Sequence, residues 1–135
     1  MYKSLNINDR IYAFECKSTT RNIFKPVYNS GGIKPPYIYI FTNERYNTTL
    51  YLGHDIITPE QQIVIDELIT QQRELQDEYN QRLRELDTNN RGVSYYTRPM
   101  INISSPARVT NYFTHNDRER CEKNVLKFLE GETYE

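Results

Sequence analysis

Four side chains in this 135-residue chain could supply soft-ligand or nucleophile chemistry: Cys16, Cys121, His54 and His115. A zinc site or an activated thiol would bring such residues together at short spacing, as CxxC, HxH or HExxH. None of these spacings occurs, so the four could meet only through the fold. Arg118, Arg120 and Lys123 stand near Cys121 and could lower its thiol pKa. The expectation is two reduced thiols, surface histidines, no metal and no cofactor. A phosphate cradle is not expected either. The glycine pair Gly31-Gly32 leads into Pro35-Pro36 rather than into a helix N-terminus.

Tyrosine is the second chemical theme, with twelve Tyr and no Trp. Tyr12, Tyr28, Tyr37, Tyr39, Tyr46, Tyr51, Tyr95, Tyr96 and Tyr112 punctuate the strand-like stretches. Such rings serve as interface anchors, as platforms for stacked bases, or as amphipathic core residues. Within this set, Tyr37-Ile38-Tyr39 is followed, after eleven residues, by Tyr51-Leu52-Gly53. The two motifs, with IFTNERYNTTL between them, resemble the hallmark of the GIY-YIG endonucleases. That resemblance implies a hairpin whose tyrosines face one active site, with Tyr39 and Tyr51 in the catalytic positions and Gly53 in the glycine's. It further implies a helix arginine on the scissile phosphate and a glutamate holding a divalent ion such as magnesium. The chain departs from the pattern. Tyr37 stands in place of the first glycine, and residues 54–72 contain no Arg or Lys, the first being Arg73. No glutamate can be assigned to the metal. Carboxylates clustered after Gly53 would repel a phosphate backbone. Apart from the nuclease reading and its magnesium, no catalytic residue is expected.

The hairpin that would position these tyrosines is legible. Residues 37–42 and 48–52 are dense in β-branched and aromatic side chains, and a hairpin-length loop joins them. Residues 10–16 and the short stretches 93–96 and 100–103 are further strand candidates. Residues 29–36, NSGGIKPP, interrupt any strand or helix. After the hairpin, Thr58-Pro59-Glu60-Gln61 places a capping hydroxyl, a proline at the first helical position and a glutamine at the third. No Gly or Pro follows until after Leu86, so one helix is predicted over residues 59–86, about 42 Å long. Its apolar stripe, Ile65, Leu68, Ile69, Leu75, Tyr79, Leu83 and Leu86, fits within about 120°. Gln72 and Gln76 interrupt it. A seam this slim on a helix this long points either to pairing with another helix, as in a coiled coil, through Ile65, Leu68, Leu75, Tyr79, Leu83 and Leu86, or to one end of the helix packing on the domain. Residues 104–113 read as a Ser/Pro-broken connector. A last helix, opened by Asn116 and Glu119 and closed by Gly131, carries the stripe Cys121, Val125, Phe128 and Leu129.

The expected fold is thus α+β: one domain over residues 1–135, with a small antiparallel sheet, one long middle helix and a C-terminal helix. Leu, Ile, Val and Phe number only 32 of 135, so the core is thin or a partner covers part of the surface. No apolar run approaches the roughly 18–20 residues that span a bilayer, and the first residues carry no apolar leader segment. A cytoplasmic or virion-associated, non-secreted protein is therefore expected, and the sequons at Asn47 and Asn102 read as chance. Net charge is −1, against a protein built to coat nucleic acid. The charge is uneven: residues 1–50 carry a net +4, residues 51–90 a net −6 and residues 91–135 a net +1. Such unlike regions can attract within a fold or between copies. Asn, Ile and Tyr, whose codons are A/T-rich, are abundant, which fits a low-GC source: a phage, a large virus or a low-GC cell. The leading expectation is a non-enzymatic interaction or assembly protein that uses the long amphipathic helix and the Tyr-rich sheet as contact surfaces, with a protein partner or a homo-oligomeric state, no membrane, and nucleic acid disfavoured. The alternative is a GIY-YIG-like endonuclease or its inactive relative.

Overall fold

The structure, a computed structural model, describes residues 2–29, 32–103 and 110–131. Gly31 and residues 104–109 of the expected connector lie outside the described residues. The chain is α+β and divides into two compact units, Met1–Ile57 with Met100–Glu135, and Thr58–Pro99.

In the first unit, β1 (Tyr2–Ile7) and β2 (Arg10–Thr19) form a hairpin closed by Asn8 and Asp9. Both turn residues have positive φ, 52° and 64°, as a two-residue turn matching strand twist requires. β3 (Val27–Asn29) stands apart from this sheet, and β4 (Ile38–Asn43) and β5 (Asn47–Leu52) are the predicted hairpin. The four-stranded sheet has the order β1-β2-β4-β5. Antiparallel pairing holds for β1–β2 and β4–β5, but β2 and β4 run parallel, which makes the sheet mixed. A parallel pair needs a long crossover, and residues 20–37 provide it, with β3 inside. Later in the chain, β6 (Met100–Asn102) pairs antiparallel with β3 as a separate ladder.

Side chains alternate across β4 and β5, so Ile38 opposite Leu52 faces one side and Tyr39 opposite Tyr51 the other. The first side packs on the C-terminal helix α2 (Arg118–Leu129). Tyr12, Ile38, Leu52 and Val125 form the core there, with Ile7, Phe14, Leu50, Phe128 and Leu129 against it. The Tyr12 hydroxyl donates to the Phe128 carbonyl at 3.1 Å, and the two rings meet edge to face. The expected α2 stripe is thus the buried face, with Cys121 and Val125 fully covered. Its start differs from the expectation at Asn116. The N-cap is Asp117, and no side-chain cap bond forms, because the Asp117 carboxylate is engaged by His115 and Arg120. Gly131 closes the helix at φ 86°, its N–H donating to the Phe128 carbonyl.

The second unit is α1 (Pro59–Glu85) with the segment that returns along it. Thr58 and Gln61 form the reciprocal capping box at 3.0 and 3.1 Å. At the other end, Asp87 accepts the N–H groups of Arg91 and Gly92 and turns the chain. Residues 93–96 are not the strand that was expected. The Asn80 side chain takes both the N–H and the carbonyl of Tyr95, and Gln76 accepts the N–H and hydroxyl of Thr97. Side-chain amides on a helix thus fill the bonds that a neighbouring strand would have made. Among the described residues, no helix is long and apolar enough to cross a membrane.

Candidate functional site

The hairpin brings together the two tyrosines that the resemblance to the GIY-YIG motifs implies. Tyr39 and Tyr51 are direct cross-strand partners, and their rings stack at 5.4 Å with 13° between planes. Gly53 follows in a single 3-10 turn, Gly53–Asp55. Its N–H donates to the Tyr37 carbonyl, and a Cβ placed there would meet the Lys34 carbonyl oxygen at 2.1 Å. The glycine in this motif is thus required by close backbone approach from the 32–36 loop.

The tyrosine hydroxyls are sealed. Tyr39 and Tyr51 are 0% and 2% exposed. The Lys34 backbone N–H donates to the Tyr39 hydroxyl at 2.9 Å. The Tyr51 hydroxyl bonds that of Tyr28 at 2.7 Å, and Tyr28 also reaches the Tyr112 hydroxyl at 3.2 Å. Burial pushes the Tyr39 phenol up to about 12, although the Lys34 N–H pulls the other way. Burial first, then neighbouring phenols, hold Tyr51 and Tyr28 well above their ordinary value. Phenols in this state keep their protons and are poor bases at neutral pH. Of the nine tyrosines that punctuate the strand-like stretches, Tyr12, Tyr28, Tyr39 and Tyr51 are core residues, while Tyr95 and Tyr96 are exposed.

Beside this cluster, between the edge of β5 and the start of α2, lies a cavity of about 200 Å³. Tyr51, Tyr112, Asp55, His115, Arg118 and Cys121 contribute its polar wall. That wall is internally satisfied. Arg118 donates to the Thr48 and Phe113 carbonyls, both at 3.1 Å, and to Glu122 at 3.0 Å. The Asp55 side chain is 3% exposed, accepts from Asn124 at 3.1 Å and lies 3.5 Å from Arg120. Cys121 is not activated by its cationic neighbours. Burial pushes the thiol up to about 11, Asp117 and Asp55 push it the same way, and Arg120 does not offset them. Neither Cys16 nor Cys121 is in a disulfide. These groups come from positions as far apart as Asp55 and Asn124, and no local spacing announces them.

In the second unit, the predicted stripe of α1 splits in two. Ile65, Ile69 and Leu83 are half-buried, on the face where Gln76 and Asn80 hold residues 95–97. Leu68, Leu75, Tyr79 and Leu86 are 51–75% exposed, and Val64, at 64%, extends their row. These five fall within about 60° of the helix circumference, roughly 100° from the face that carries the return segment. Arg82 lies in the same row, its guanidinium over the Tyr79 ring at 4.9 Å. No residue of α1 is fully buried. Compared with protein-family models, curated proteins and solved structures, the chain matches none.

Proposed function

We propose that this chain is a non-enzymatic interaction or assembly protein whose contact element is α1, its partner being another helix with a matching apolar face. The observation that carries the reading is the row Val64, Leu68, Leu75, Tyr79 and Leu86 left exposed on a 27-residue helix. Contiguous apolar surface of this kind marks an interaction site, and a helix reads its partner through anchors at such spacing. The abundance of Asn, Ile and Tyr, whose codons are A/T-rich, fits a low-GC source, of which a phage or large virus is one kind and a low-GC cell another.

A GIY-YIG-like endonuclease, or an inactive relative, is the second reading. The direct opposition of Tyr39 and Tyr51 favours it. Against it stand the sealed hydroxyls and the acidic start of α1, where the resemblance asks for a phosphate-binding arginine. An electrostatic contribution of that sort is commonly worth about 3–4 kcal/mol of barrier.

The two readings separate in one assay. The purified protein, incubated with magnesium and with duplex or single-stranded DNA, is expected to leave both uncut. Cleavage that disappears in both Tyr39→Phe and Tyr51→Phe, with circular dichroism unchanged, would replace the first reading by the second.

A further inference from the structure

We infer that the cavity beside β5 binds a small neutral lactam, a planar ring with an N–H and a carbonyl side by side on one edge. The inference is independent of α1 and rests on what the cavity wall leaves unpaired. Arg118 donates to Thr48, Phe113 and Glu122, while Asp55 and Asp117 are engaged by Asn124, Arg120 and His115. The Tyr51 and Tyr112 hydroxyls bond Tyr28, so these residues offer the cavity their rings. The uncommitted polar groups lie on β5. Thr49 lines the cavity and is 2% exposed, and its hydroxyl has no partner among the described residues.

Leu50 supplies a donor and an acceptor. Arg118 reaches the Thr48 carbonyl from outside the hairpin, which places Thr48 among the outward-pointing residues of β5. In an antiparallel ladder the N–H and carbonyl of one residue point the same way, and alternate residues point outward. Leu50 therefore turns both groups to the open edge where it lines the cavity, and neither has a partner among the described residues. Such an edge is a template for another amide, and a buried polar group left unpaired is costly, so a ligand that pairs it is favoured.

Chain direction orders the ligand. Thr49 precedes the Leu50 N–H, so a ligand carbonyl there can accept from both that N–H and the Thr49 hydroxyl. The ligand N–H then meets the Leu50 carbonyl, on the side leading to the Gly53–Asp55 turn. The Asp55 carboxylate, 3% exposed, favours a donor at that end and repels a second carbonyl. With Arg118 and Arg120 already committed, the wall offers an anion nothing. Size fits as well. An apolar cavity of about 150 Å³ takes benzene, so one of about 200 Å³ takes a six-membered ring with one substituent.

The test titrates the isotope-labelled full chain with neutral 2-pyridone and follows it by NMR. The Leu50 amide is expected to shift saturably. N-methyl-2-pyridone, which lacks the donor, and toluene, which keeps the shape without either polar group, should bind roughly tenfold more weakly. Thr49→Val keeps the side-chain shape and should weaken 2-pyridone roughly two- to tenfold. Equal binding of toluene and 2-pyridone would reduce the site to an apolar hole and overturn the inference. No saturable shift at Leu50, or unchanged affinity in a folded Thr49→Val, would overturn it too.

Discussion

Tyr51→Ala is expected to lower the unfolding free energy by about 3–5 kcal/mol, as for other large buried aromatic deletions. The ring is stacked on Tyr39 and meets Tyr112 edge to face at 5.2 Å, so its removal opens the contact between the sheet and the 110–113 segment. Tyr51→Phe keeps the ring and removes only the hydroxyl. Tyr28 then retains Tyr112 as partner, so the loss should be about 0.5–1.5 kcal/mol, the net worth of one hydrogen bond. Urea titrations of the two variants measure the difference. A domain of this size has roughly 5–15 kcal/mol in total, so the alanine variant is near the edge of folding. Equal, small losses in both variants would mean that Tyr51 is not packed as described.

The second large effect is alkaline. Tyr28, Tyr39, Tyr51 and Tyr112 all have phenols raised by burial, and the Cys121 thiol is raised from 9.0 to about 11. In the unfolded chain these groups lose their protons near their ordinary values, while the folded chain holds them. The folded state therefore binds more protons above pH 9, and stability falls as pH rises. The contribution is fully present below about pH 9 and is lost progressively through pH 10–12. Each tenfold difference in proton affinity between the folded and unfolded chain is worth about 1.4 kcal/mol per group. Five groups acting together should unfold the first unit cooperatively in that window. The cluster phenolates should then appear in the ultraviolet together with the loss of circular dichroism. Ionisation of the cluster near pH 10 with the dichroism intact would contradict the sealed geometry.

What could be read from residues alone was what neighbours in the chain decide. Tyr37 to Thr42 and Thr48 to Leu52 form a hairpin because each run is dense in strand formers and the loop between them is short. The start of α1 was legible because Thr58, Pro59 and Gln61 each fit one position of a single cap. The opposition of Tyr39 and Tyr51 was implied only by the resemblance to the GIY-YIG hairpin. β1 was missed because its edge position leaves Lys3, Ser4 and Leu5 exposed, so no apolar pattern marks it. The parallel β2–β4 pairing and the β3–β6 ladder join segments remote in sequence, and nothing local encodes them. The seal over the tyrosines was hidden for the same reason, since it depends on Tyr28, Lys34 and Tyr112 converging through the fold. On α1, the periodicity gave one stripe. It could not show that Asn80 and Gln76 bind the returning chain and divide that stripe into a half-buried face and an exposed row.

The central claim is that this exposed row is a contact surface and not part of the chain's own core. The most direct measurement is the unfolding free energy of a Leu68→Ala, Leu75→Ala, Leu86→Ala variant, taken at a dilution where the wild-type mass is that of one chain. Substitutions at surface positions usually change stability by less than about 0.5 kcal/mol each, and alanine favours helix, so the variant should lie within about 1.5 kcal/mol of the wild type. Three buried leucines would cost about 2–5 kcal/mol each, and a loss of roughly 6 kcal/mol or more in the variant would contradict the claim.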